Sequence, residues 1–220
     1  MNEKAEYSLA DRAIELLKKK AIRRFDDAKS RAAGVKFDEI NVLGICRDLY
    51  ELLDSDNFKT FLELAIKKYL ATNPHGDYEP DREWLMEFLD DYDPVTKYVY
   101  PNEVERKRDR LAEAVNASTA KATEFNRGLG YWVQMMAHYA DSVSDAAAIK
   151  AFKDAGVTKV KWNAQKDGKV CLLCLERDGT IYSINKIPPK PHWGCRCYFT
   201  AVMTNKQKFK ANQSISTADS

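Results

Sequence analysis

Four of the five cysteines in this chain, and one of its three histidines, fall within residues 162–199. They are Cys171, Cys174, His192, Cys195 and Cys197, in the order Cys-x2-Cys, spacer, His-x2-Cys-x-Cys. Zinc takes four thiolate, imidazole or carboxylate ligands in a tetrahedron. A Cys-x2-Cys turn provides two of them from one short loop, and the second cluster provides the rest. Five candidates compete for four places. Cys171, Cys174 and Cys195 are expected to bind directly, and His192 and Cys197 compete for the fourth position. On a strand, residues 195 and 197 face the same side, so both can reach a common centre.

A segment of about forty residues buries too little apolar surface to hold a β-rich module together by itself, and a bound ion would supply that free energy. Structural zinc is therefore the first reading of the cluster. Three others stand beside it: reduced cysteines packed without metal, a catalytic site built on a Cys–His nucleophile or zinc-bound water, and a thioredoxin-like redox pair. The catalytic reading finds only Glu176 and Asp178 nearby as carboxylates, and a full ligand set leaves no open position. The redox reading needs a strand–Cys-x2-Cys–helix context, against which the placement of Gly and Pro argues.

Net charge is close to zero but unevenly spread. Residues 157–220 carry 11 Lys/Arg against 4 Asp/Glu, and residues 1–156 carry 24 against 29. Such a basic C-terminal part permits contact with nucleic acid or an acidic surface. Arg196, Lys206, Lys208 and Lys210 are the candidate nucleic-acid contacts, with a surface ion pair to Glu176 or Asp178 as the plainer role for Arg196. The chain has no apolar run long enough to span a membrane. It does not start with the basic-then-apolar layout of a signal peptide. A reducing cytoplasm is the expected site of synthesis, where clustered cysteines favour metal binding over disulfides.

Along the chain, helical spacing runs from an N-cap at Ser8 to Gly34, and a second pattern starts at Asp38 with Cys46 on its apolar stripe. Ser55 is expected to cap a third helix, and residues 71–82 read as a loop containing His75. A short helix follows around Trp84 and Leu89, then a Tyr-rich non-helical stretch at 91–101. Asn102 is expected to open a long helix that Gly128 and Gly130 interrupt. His138 lies on an apolar segment as a core histidine, and Ser144 is expected to cap a last helix ending at Gly156. Beyond it, residues 157–162 read as a strand and Asp178-Gly179 as a hairpin turn before a strand at 180–184. Residues 195–202 read as a closing strand. The predicted fold class is α+β: a mainly helical body at 1–155, divisible near 91–101, a Cys/His-rich β module at 156–203, and a disordered tail at 204–220.

The run Trp162, Asp167, Val170-Cys171-x2-Cys174, Asp178-Gly179, Pro188-Pro189, His192-x2-Cys195-Arg196-Cys197 resembles the C-terminal signature of the phage head-morphogenesis family. These are minor head proteins of tailed phages, the group that includes the F protein of phage Mu. Residues 92–111 are also similar, more loosely, to the middle of such proteins. Residues 1–80 carry no resemblance. The prolines before His192 run one residue longer here than in the common form, and some family members have Arg-x2-His where this chain has Cys171-x2-Cys174. The resemblance implies a non-enzymatic virion protein made in the host cytoplasm and located in the head near the portal. Its partners would be the portal protein and other capsid or scaffold proteins, with packaged DNA as a further contact. Its work would be head assembly and DNA packaging or ejection. A zinc-supported nuclease and a stand-alone DNA-binding module are the alternatives from other classes.

Overall fold

The computed structural model describes residues 3–33, 39–73, 81–90, 99–166, 168 and 170–202. Six helices and three strands follow in order: α1 (Glu3–Ala33), α2 (Glu39–Thr72), α3 (Arg82–Asp90), α4 (Tyr100–Ala117), α5 (Lys121–Asp154), β1 (Lys159–Asn163), α6 (Leu172–Arg177), β2 (Ile181–Ser183) and β3 (Tyr198–Ala201). The fold is α+β, a helical bundle followed by a small antiparallel sheet. None of the described helices is long and apolar enough to cross a membrane.

The bundle core follows from helical periodicity. On α1, Leu17, Ala21, Phe25, Ala28 and Ala32 are buried at steps of three and four, which puts them on one face. They meet Cys46, Leu49, Leu53, Phe61 and Ala65 of α2 and Phe125, Trp132, Met136 and Val143 of α5. Leu111, Ala112 and Val115 of α4 close the same core. Cys46 is fully buried there, and burial pushes its thiol up to about 12.

Five helix boundaries differ from the sequence expectation. α1 begins upstream of Ser8. Ser55 caps nothing, because α2 runs through it. The polar residues beside Ser55 are engaged in tertiary contacts instead: Asp56 accepts from Arg24 Nε at 3.1 Å, and Asn57 Nδ2 donates to the Tyr100 hydroxyl at 3.1 Å. The chain breaks between α4 and α5 at residues 118–120, not at the glycines. Ser118 Oγ accepts the Ala120 amide at 3.0 Å, and Lys121 Nζ donates to the Val115 carbonyl at 3.0 Å, satisfying the end of α4. Gly128 instead lets α5 approach its neighbours, since a Cβ there would fall 2.9 Å from Leu111 Cδ1. Ser144 lies buried inside α5. α4 itself starts two residues before Asn102, with Pro101 in its first turn, where the missing N–H is no loss.

α5 ends in a Schellman motif. Gly156 has φ +71°, its amide bonds the Lys153 carbonyl at 2.9 Å, and the Val157 amide bonds the Phe152 carbonyl at 2.9 Å. The turn sends the chain into β1, the centre of a sheet ordered β2-β1-β3 with both pairings antiparallel. Val160 and Trp162 face inward and are fully buried, while Lys159 and Lys161 alternate with them. Trp162 pairs with Phe199 edge to face, centroids 5.2 Å apart. The core below the sheet includes Ala148 and Phe152, so the last turns of α5 form its floor.

The Cys-x2-Cys segment is also helical, which the hairpin reading of Asp178-Gly179 did not anticipate. Apart from Cys174, its sequence from Leu172 to Arg177 is made of strong helix formers. Asp178-Gly179 therefore joins α6 to β2, and Gly179 takes φ +78° while its amide bonds the Trp162 carbonyl at 2.8 Å. The tyrosine-rich stretch before Val99, His75 and residues 203–220, with Lys206, Lys208 and Lys210, lie outside the described residues.

Candidate metal centre

The start of α6 and the loop before β3 bring the sulfurs together. Cys171 is the N-cap of α6, in extended conformation, and its Sγ accepts the Cys174 amide at 3.4 Å. That contact fixes the first thiol, and one helical turn places Cys174 beside it. From the other side, Gly194 turns the chain with φ +67° and separates His192 from Cys195. Cys174 stands at the middle: its Sγ is 3.5 Å from His192 Nε2 and 3.5 Å from Cys195 Sγ.

These spacings are those of ligands around one ion. With Zn–S near 2.3 Å and Zn–N near 2.0 Å, the edges of a tetrahedral site measure about 3.5–3.8 Å. Two groups of ligand atoms, Cys171/Cys174/His192 and Cys174/Cys195/Cys197, each lie within 4.8 Å of one another and share Cys174. The structure thus brings together all five residues singled out from the sequence, and the cluster could hold a metal ion. Cys174, Cys195 and Cys197 are buried, while Cys171 and His192 sit at the partly exposed edge.

His192 is held in the tautomer a metal needs. Its Nδ1 lies 2.9 Å from the Trp193 carbonyl. A carbonyl only accepts, so Nδ1 carries the proton, and Nε2 keeps its lone pair for the cluster.

The thiols do not titrate alike. The Cys174 amide lowers the Cys171 thiol first, and burial raises Cys174. Cys195 donates to Cys197, which raises Cys195 and lowers Cys197. The buried Trp162 indole N–H has no hydrogen-bond partner of ordinary geometry, yet it also favours the ionised Cys197, as does the Gln165 amide. Without an ion, these sulfurs share protons among themselves. A divalent cation would let all of its ligands ionise at once.

Cys-x2-Cys does open a helix, contrary to the sequence expectation. The resulting pair is not an isolated dithiol, because His192 and Cys195 both crowd Cys174. No described ligand group contains a carboxylate. Glu176 is exposed, and Asp178 is turned away, accepting the Ala164 amide at 2.8 Å and pairing with Lys166 at 2.6 Å.

Arg196 lines a small cleft together with Asp141, Asp145 and Lys190. Its charge acts on Asp11 and Asp141 of the bundle. The charged residues in this seam escaped the sequence reading. Lys190 Nζ lies 2.5 Å from an Asp145 carboxylate oxygen and 2.9 Å from the Cys195 carbonyl. Burial opposes the Lys190 charge, but Asp145 and Asp141 outweigh it and hold its pKa above the ordinary lysine value. Trp193, between two candidate ligands, stacks on buried His138 with centroids 3.9 Å apart and planes 17° apart. A proline-rich spacer gives no sign in the sequence of which helix face will receive it. Against known proteins, no family model, no curated protein and no solved structure matches the chain.

Proposed function

We propose that this is a minor head protein of a tailed phage, non-enzymatic, whose C-terminal module is stapled by zinc and which acts through contacts with the portal. The observation that carries the reading is the convergence of Cys171, Cys174, His192, Cys195 and Cys197 on Cys174. Those residues carry most of the resemblance to the head-morphogenesis signature, and their grouping gives the signature a physical purpose. Thiolates with one imidazole are a donor set suited to zinc. A site with its positions filled by protein ligands stabilises a fold and leaves no place for a substrate. The Trp162 of the signature serves the same end, since it fills the core beneath the sheet.

In this reading the module is a rigid unit offered to the portal and neighbouring capsid proteins during head assembly and DNA packaging or delivery. The basic tail, with Lys206, Lys208 and Lys210, would add salt-dependent phosphate contacts to packaged DNA.

Four measurements test the proposal. Protein purified without chelator should carry zinc by elemental analysis. Mass spectrometry of virions from the phage encoding the chain should detect it in the head, and the portal protein should co-purify with it. Absence from the head and from portal complexes would refute the assembly role. Divalent-metal-dependent plasmid cleavage, lost in His192→Ala, would refute the non-enzymatic one.

A further inference from the structure

We infer that the metal centre is a clasp for the seam between the module and α5, so that filling or emptying it is felt in the helical bundle. The inference rests on the cluster being an ion site and extends it to a second property: control of how the two parts are seated.

The argument begins with the segment from Pro188 to Arg196. Pro188, Pro189 and Pro191 have no N–H to give. Among the described residues, no backbone–backbone hydrogen bond of the turns and loops involves residues 187–197. Side chains hold this strap, together with its carbonyls. Arg177 Nη1 donates to the Pro189 carbonyl at 2.8 Å from α6. Beyond that, the strap alternates between two destinations. His192 and Cys195 turn to the thiol cluster, and Lys190 and Trp193 turn to α5.

The two sets are linked atom by atom. Lys190 bonds both Asp145 of α5 and the carbonyl of Cys195, a ligand. The carbonyl of Trp193 receives the Nδ1 proton of His192, another ligand. The Trp193 ring lies flat on His138 and edge-on to Tyr139, 6.3 Å away. Tyr139 in turn meets Tyr100 at 4.9 Å, within the bundle core. An ion that fixes His192 and Cys195 therefore fixes Lys190 and Trp193 in their seats. Loss of the ion removes the anchors at His192 and Cys195 and leaves the strap to its remaining side-chain contacts, which loosens its cover over His138, Tyr139 and Asp145. By linkage, whatever factor the bound ion adds to the seating, the seating adds to ion binding.

The experiment uses the full chain, zinc-loaded and chelated, with amide hydrogen exchange read by mass spectrometry. Chelation should raise exchange at residues 138–145 of α5, while residues 42–65 of α2 stay protected. In parallel, zinc affinity is measured by competition with a chromophoric chelator. Trp193→Ala and Lys190→Met should each weaken it by roughly 5- to 150-fold, the usual range of coupling between sites, although neither side chain reaches the ion. Far-ultraviolet circular dichroism identifies a variant that fails to fold, and the exchange arm on the unaltered chain then decides. A chain that binds no zinc overturns both the clasp and the ion site. A chain that binds zinc, with unchanged exchange in α5 and unchanged affinity in the folded variants, overturns the clasp and leaves the ion site standing.

Discussion

Tyr100 donates its hydroxyl proton to Asp54 at 2.8 Å, joining the first residue of α4 to the middle of α2. Tyr100 is 2% exposed, and burial, followed by the nearby Asp54 charge, raises its own pKa. Tyr100→Phe keeps the ring contacts but leaves a desolvated carboxylate and the Asn57 amide without their partner. The expected loss is about 1–3 kcal/mol, measured by urea unfolding. An unchanged midpoint would show that water replaces the hydroxyl.

The two glycines of α5 should respond in opposite directions. Gly128→Ala drives a methyl against Leu111 Cδ1 at 2.9 Å and Phe25 Cε1 at 3.2 Å, and overpacking of this kind costs about 1–3 kcal/mol. Gly130 is exposed and has no atom within 4 Å of an added Cβ. Gly130→Ala should stabilise the helix by roughly 0.5–1 kcal/mol. Thermal melts of the pair check the sign as well as the size.

Asp141 gives the fold a pH dependence. Burial raises its carboxyl to about 7 from an ordinary 3.8, with Asp145 and Asp11 adding to the shift and Lys190 and Arg196 opposing it. The folded state therefore holds the proton more tightly than the unfolded state does. The stability this contributes is complete below about pH 4 and is lost as pH rises through about 7. Asp141→Asn should flatten the fall in melting temperature between pH 5 and pH 8 and raise stability at the upper end. An unaltered pH profile would place the titration elsewhere.

The cysteines divide into two classes. Cys46→Ser should leave metal content untouched while burying a hydroxyl in the bundle core, at about 1–3 kcal/mol. Cys171→Ser should abolish zinc retention and raise amide exchange across residues 157–202, with the α1–α2 core intact. Elemental analysis and exchange mapping on the two variants separate the classes. Metal loss in Cys46→Ser, or its retention in Cys171→Ser, would contradict the division.

The sequence made the α+β class legible because the chemistry changes at Gly156: 3.6-residue periodicity before it, two-residue alternation and cysteines after it. The grouping of all five candidate ligands was legible too, since their spacing already implied a common centre. Helix boundaries were less so. Ser55 and Ser144 look like caps, and only the long-range partners on α1, α4 and the module explain why the helices run through them. Gly128 looks like a breaker until Leu111 is known to lie above it. Lys190 and Trp193 had no local pattern at all, because their roles depend on a helix face about fifty residues upstream.

The C-terminal half of α5 belongs to both halves of the molecule. Met136, Val143 and Ala147 of this helix pack into the bundle, and Ala148 and Phe152 pack under the sheet. A cut at the point where sequence character changes would thus strip the C-terminal part of its own foundation. A fragment intended to live independently would have to begin inside the helix, a full turn or more before Ala148. One unbroken helix thus carries the chain from the bundle core into the core beneath the sheet, and the place where the sequence changes character is not the place where the structure divides.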